Sequence, residues 1–133
     1  PTLCKIFECV EREYYDGLNL EFDFTLSEWA KQGVLLLNRS LSTKVNDENA
    51  HKKPWGKFMS AILNAINDGK PGTIFILWGK EAQLLAPFIK EHNYILIYDD
   101  PAEYTYPNKD WHCPNFKEAN DILQNLNNEK IKW

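Results

Sequence analysis

The chain has 133 residues, with 15 Lys and Arg against 19 Asp and Glu for a net charge of −4, and it is 44% hydrophobic and 14% aromatic. This size and apolar content suit a single domain over residues 1–133, which buries about two-thirds of the unfolded chain's surface without disulfides or a metal, and they exclude a disordered chain. No apolar run approaches the ~18–20 residues of a membrane span, and Pro1-Thr2-Leu3-Cys4 has neither region of a signal peptide, so a soluble intracellular protein, cytoplasmic or nuclear, is expected.

Leu3, Ile6, Phe7, Val10 and Tyr14 recur at three- and four-residue steps, which predicts an amphipathic helix over residues 3–15, ended by Gly17. Residues 1–28 hold two basic and seven acidic side chains, so the remaining 105 residues sum to +1. Composition alone therefore supplies no basic patch able to hold nucleic acid. Ser27 is the expected N-cap of a short helical turn through Trp29 and Lys31. Gly33 then opens Val34-Leu35-Leu36-Leu37, apolar on both faces, which predicts a buried parallel strand. Residues 39–54 are polar and long enough for a functional loop.

After Pro54, the residues Trp55, Phe58, Met59, Ile62, Leu63 and Ile66 share one helical face, and Gly69 with Pro71-Gly72 stops that helix. Thr73 through Trp78 predicts a second buried strand. Gly79 turns the chain into a helix running to about His92, with Pro87 kinking or restarting it. Tyr94-Ile95-Leu96-Ile97-Tyr98 predicts a third strand, and residues 99–114 a long loop with three prolines. Asn115 with Glu118 three residues on resembles a capping box, opening a last helix that buries Phe116, Ala119, Ile122, Leu123 and Leu126.

Alternating strands and helices predict an α/β fold: three α/β/α layers around a short parallel sheet covered on both faces. Ligands in such folds sit beyond the carboxyl ends of the strands, so a site should gather Asn38, Trp78-Gly79 and Asp99-Asp100.

The residues from Trp29 to Asn38, Trp-Ala-Lys-Gln-Gly-Val-Leu-Leu-Leu-Asn, closely resemble the uracil-recognition strand of the family 1 uracil-DNA glycosylases. The likeness continues through His51-Lys52 and Trp55, through Leu77-Trp78-Gly79 with Ala82-Gln83, and through Cys113, Phe116, Asn120 and Ile131-Lys132-Trp133. Pro1-Thr2-Leu3 resembles the end of that family's proline-rich DNA-backbone loop. The resemblance implies the family's fold, DNA as partner, and base excision as the activity to test. It covers the family's later two-thirds; its Gly-Gln-Asp-Pro-Tyr-His motif, whose Asp orients the attacking water, and one further strand have no counterpart in these residues. The His-Pro-Ser-Pro-Leu-Ser loop aligns without a gap to Asp100-Pro101-Ala102-Glu103-Tyr104-Thr105, so its His has become Asp100 and its intercalating Leu has become Tyr104. Gly79-Lys80 stands where the family has Gly-Ser for phosphate contact.

Asn38 has a donor and an acceptor on one amide, the pair that reads the N3–H and O4 edge of a flipped uracil; a strand-end capping role is the alternative. Asp100 argues against ordinary catalysis. Cleavage leaves negative charge on uracil, which a neutral His stabilises and a carboxylate repels. At an effective dielectric of about 20 and ~4 Å the repulsion is about 4 kcal/mol, or roughly a thousandfold in rate. Asp99 is the other acid available to a surrogate mechanism, and a solvated Asp-Asp-Pro turn is the plain alternative for both. Tyr104 and Tyr106 could wedge into a base stack or pack as loop aromatics. Lys52, Lys53, Lys57 and Lys80 are the candidate phosphate contacts, with Gly79. Cys4, Cys9 and Cys113 are odd in number and form no CxxC pair, so three reduced thiols and no metal or cofactor are expected.

Three functions follow from these features. One is a glycosylase-like DNA- or base-binding module with a degenerate catalytic site. Another is an active uracil-DNA glycosylase whose acid comes from Asp99, Asp100 or another segment. The third is a protein-interaction module using the acidic loop over residues 99–105.

Overall fold

The computed structural model describes residues 2–15, 25–37 and 52–133, without the side chains of residues 52–55. The periodic apolar face of the first segment forms α1 (Thr2–Tyr14), which buries Ile6, Phe7, Cys9 and Val10. The expected stop at Gly17 lies outside the described residues. The second helix, α2 (Ser27–Lys31), starts without the expected cap: Leu26 holds the N-cap position at φ +62°, so Ser27 is already a helical residue. It ends as its sequence dictates, with Gly33 at φ +88°. Gly33 N–H donates to the Ala30 carbonyl at 3.0 Å and Val34 N–H to the Trp29 carbonyl at 3.1 Å, the paired bonds of a Schellman motif.

Residues 34–37 form no strand among the described residues, and Leu35 is 66% exposed. This corrects the buried strand expected there. An apolar run becomes a strand only when a neighbour completes its hydrogen bonds, and no described segment does so.

Next comes α3 (Lys52–Asn67), burying Met59 and Leu63 but leaving Phe58 exposed. Its last residue, Asn67, is a joint. Its amide donates to the Phe88 carbonyl at 2.8 Å and accepts from Lys90 N–H at 3.2 Å. The two strands β1 (Ile74–Trp78) and β2 (Tyr94–Tyr98) pair in parallel, with Ile74 opposite Tyr94 and Trp78 opposite Tyr98. Between them the expected single helix is divided into α4 (Lys80–Gln83) and a 3-10 turn, Ala86–Phe88, with Pro87 in its first positions. Proline has no N–H to continue an α-helical ladder, so the chain restarts at it.

One face of the sheet carries the core. Ile74, Ile76 and Trp78 of β1 and Leu96 and Tyr98 of β2 pack against α1, α2 and the final helix, α5 (Asn115–Asn125). The opposite face is less covered than expected, since Ile97 is 57% exposed. Aromatic rings fill the core: Trp78 meets Trp111 edge-on at 4.7 Å, and Phe116 meets Trp133 at 4.9 Å. Each buried indole finds an acceptor, as Trp29 Nε1 does at the Trp133 carbonyl (3.0 Å) and Trp133 Nε1 at the Phe116 carbonyl (3.1 Å).

Two side-chain amides fasten the closing residues by imitating strand pairing. Asn120 accepts from Ile131 N–H at 2.7 Å and donates to the Ile131 carbonyl at 3.0 Å. Gln32 does the same for Lys132 at 2.7 and 3.1 Å. Among the described residues no helix is long and apolar enough to cross a membrane.

Candidate functional site

Parallel pairing brings the carboxyl ends of β1 and β2 side by side, so the residues after them meet. Gly79 N–H donates to the Tyr98 carbonyl at 2.9 Å, extending the ladder past Trp78, and Gln83 of α4 donates to the same carbonyl at 3.1 Å. Gly79 has φ +89°, and a Cβ built on it falls 2.8 Å from Asp100 Cβ. Glycine alone accommodates both that backbone and that approach.

Asp100 is half-buried, and its carboxylate has a structural task. Oδ1 accepts from Ala102 N–H at 2.9 Å, capping the 3-10 turn Pro101–Tyr104, while the Asp100 carbonyl accepts from Glu103 N–H at 3.1 Å. The geometry is that of an Asx turn followed by proline. Asp99 is engaged on both sides: its carbonyl accepts from Trp111 Nε1 at 3.0 Å and its Oδ2 from the Tyr104 hydroxyl at 2.7 Å. The bond to Asp99 pushes the Tyr104 pKa up to about 12, because a phenolate would face a carboxylate.

The two tyrosines of this loop therefore differ. Tyr104 packs against the aromatic core and is tied to Asp99, whereas Tyr106 is 99% exposed. The turn bearing Tyr106 is braced: Asn108 N–H donates to the Thr105 carbonyl at 3.2 Å and Lys109 N–H to the Tyr104 carbonyl at 3.1 Å. Asn108 Oδ1 also accepts from Lys5 Nζ at 3.1 Å, and Lys5 is a buried lysine of α1 that pairs with Glu8 at 3.3 Å.

Asn38 and the side chains of Lys52 and Lys53 lie outside the described residues. Lys57 and Lys80 are exposed. The structure thus joins Gly79 to Asp100 and Asp99 to Tyr104, and among the described residues no hydrogen bond or ion pair links Lys57 or Lys80 to them.

Asn115 is not the cap its sequence suggests, since Pro114 holds that position. Its Oδ1 accepts from Trp78 Nε1 at 3.0 Å, and its Nδ2 donates to the Ile97 carbonyl at 3.3 Å and to Glu118 Oε1 at 3.1 Å. It bridges the ends of both strands. An Asn three residues before a Glu signals a capping box whatever its amide actually reaches, so this role carried no separate sequence signal. Trp111 and Lys5, which position the loop from outside it, were likewise not marked by spacing.

Cys9 and Cys113 are buried together, with Cys113 N–H donating to Cys9 Sγ at 3.3 Å. Burial pushes the Cys9 thiol up and that of Cys113 up to about 12. All three cysteines are free thiols. Among the described residues no group of three His, Cys, Asp or Glu side chains could hold a metal. A cavity of about 630 Å³ between α1 and α5, lined by Glu13, Tyr14, Glu118 and Asp121, includes none of the strand-end residues.

No protein-family model matches the chain. The uracil-DNA glycosylase of Fusobacterium nucleatum is 33% identical over 135 residues, a match covering 100% of this chain and 59% of that protein. The uracil-DNA glycosylase of Anoxybacillus flavithermus is also 33% identical over 135 residues, with 100% and 59% covered. The crystal structure of mimivirus uracil-DNA glycosylase superposes with a TM-score of 0.81 at 20% identity, over 99% of this chain and 54% of that one. The chain is thus similar to uracil-DNA glycosylases along its whole length and shares their α/β fold, and it spans little more than half the length of these relatives.

Proposed function

We propose that residues 1–133 are a uracil-DNA glycosylase-like domain that binds DNA and a flipped base but does not cleave the glycosidic bond at an enzyme's rate. The observation that carries this reading is Asp100. It stands at the strand end where the resemblance calls for a neutral His, and its carboxylate is held by Ala102 N–H against Gly79. An acceptor fixed there opposes the negative charge that develops on a departing uracil. On this reading Asn38 reads the base edge, while Lys52, Lys53, Lys57 and Lys80 meet phosphate; the Gly79 N–H, expected to join them, is spent on the Tyr98 carbonyl.

The test is a uracil-release assay on the whole chain with single-stranded and duplex substrates, alongside a binding titration. Binding without release supports the reading. Robust release that Asp100→Ala abolishes overturns it in favour of a carboxylate-surrogate mechanism.

Identity of 33% across the full chain favours the active-enzyme reading as the second choice. Asp99 is a poor base in that reading, because its carboxylate already accepts from Tyr104. Protein docking at the acidic loop is weaker, since Asp99 and Asp100, although the first is exposed like Glu103, each spend a carboxylate oxygen within the loop.

A further inference from the structure

Aligning the loop over residues 100–105 by sequence places Tyr104 at the position of an intercalating side chain, but the structure has already used that ring. Its hydroxyl donates to Asp99 Oδ2 at 2.7 Å, and the side chain is partly buried against the hydrophobic core. Swinging Tyr104 outward would break this bond and expose the part of the side chain that packs on the core. Tyr106 carries none of these ties. It is 99% exposed, the most exposed of the large apolar side chains among the described residues.

The backbone beneath it is nevertheless fixed. Thr105 Oγ1 donates to the Pro101 carbonyl at 3.4 Å, Asn108 N–H closes the turn on the Thr105 carbonyl at 3.2 Å, and Lys5 Nζ anchors Asn108 from the buried face of α1 at 3.1 Å. A ring presented on a braced turn loses little freedom when it binds, which is the condition under which an exposed aromatic contributes most to affinity. The local charge narrows the ligand. Residues 99–110 hold Asp99, Asp100, Glu103 and Asp110 against Lys109 alone, which disfavours a contact made through phosphate, whereas the face of a nucleobase is neutral and stacks on a phenol ring without any cation.

We infer that Tyr106, rather than Tyr104, is the aromatic side chain with which this loop engages nucleic acid, by stacking on an unpaired base. The inference rests on the DNA-binding reading above and adds the residue and the mode of contact. No bond is made or broken; the ring exchanges water for the face of a base.

The experiment compares the wild-type chain with Tyr106→Ala, Tyr106→Phe and Tyr104→Phe in binding to a uracil-containing oligonucleotide carrying 2-aminopurine beside the uracil, at about 50 mM salt. Because Tyr106 is fully solvated, Tyr106→Ala should leave the circular dichroism spectrum and melting temperature unchanged, so a loss of binding is not a loss of fold. Stacking typically contributes about 1–3 kcal/mol per base, so Tyr106→Ala should weaken binding about tenfold and abolish the change in 2-aminopurine emission, while Tyr106→Phe retains both. Tyr104→Phe should bind like wild type. Equal affinity and equal emission change for wild type and Tyr106→Ala would overturn this inference and leave the DNA-binding reading standing. No binding by the wild-type chain would overturn both.

Discussion

Gly79 and Asp100 lie so close that any side chain at position 79 would collide with the aspartate: a Cβ there falls 2.8 Å from Asp100 Cβ. This close approach couples the end of β1 to the loop that leaves β2. Gly33 shares the positive φ, +88°, but closes a helix where Gly79 is extended at ψ 163°, and nothing lies within 4 Å of its Cβ position. Gly79→Ala should therefore destabilise by about 1–3 kcal/mol, from backbone strain and the clash together, and by more than Gly33→Ala, which meets strain alone. Urea unfolding midpoints for the two variants check the difference; equal losses would mean that Asp100 moves aside without cost.

Tyr104 makes the stability of the loop sensitive to alkaline pH. Its hydroxyl titrates near 10 when unperturbed and at about 12 in the folded chain. A raised folded-state pKa means that the neutral form is favoured on folding. The contribution is complete below about pH 10 and disappears as pH rises through about 12. Following phenolate absorbance in wild type and Asp99→Asn should show one tyrosine returning to the ordinary range in the variant; an unchanged titration curve would remove Asp99 as the cause.

DNA affinity should fall steeply with added salt and should depend on Lys52, Lys53, Lys57 and Lys80. Removing one lysine that neutralises a phosphate flattens the slope of log affinity against log salt by about 0.9 on duplex DNA. Replacing all four lysines by Glu and recovering the wild-type slope would show that the backbone passes over another face.

Thiol chemistry should distinguish the three cysteines. Cys9 and Cys113 are buried and burial raises both pKa values, the second up to about 12, so neither offers thiolate near neutral pH. A thiol reagent at about pH 8 should modify only Cys4, which is partly exposed, until denaturant is added. Rapid reaction of all three in the native chain would contradict the packing of α1 on residues 111–113.

Periodicity sufficed wherever a segment's own pattern decides its structure. The face of Ile6, Phe7 and Val10 located α1, and the β-branched and aromatic run from Tyr94 to Tyr98, bounded by Asn93 and Asp99, located β2 to the residue. It did not suffice where a distant partner decides. Residues 34–37 read as a strand because four apolar residues say nothing about whether a neighbour completes the ladder. Of the candidate site, the meeting of Gly79 with Asp100 followed from strand order alone, whereas the task of each carboxylate did not: Asp99 is occupied by Tyr104 and Trp111, and nothing in an Asp-Asp-Pro sequence announces a tyrosine five residues away as its donor. For the same reason Tyr104 and Tyr106 are indistinguishable as letters and opposite in the fold. Asn38, the expected base reader, lies outside the described residues.

The bonds that fasten α1 and α2 to the rest of the core span most of the polypeptide. Lys5 reaches Asn108 across 103 positions, Cys9 reaches Cys113 across 104, Arg12 reaches the Trp111 carbonyl across 99, and Trp29 reaches the Trp133 carbonyl across 104. On a ribosome α1 emerges long before any of these partners exists, with its apolar face bare. Spontaneous assembly in solution must likewise close a loop of nearly the whole chain before the indole layer can form, and the entropy lost in that closure slows the step. Phe7 and Val10 thus spend the early life of each molecule as a sticky surface awaiting Trp111 and Phe116, and the yield of native protein should be governed as much by what shields that surface as by the stability it finally confers.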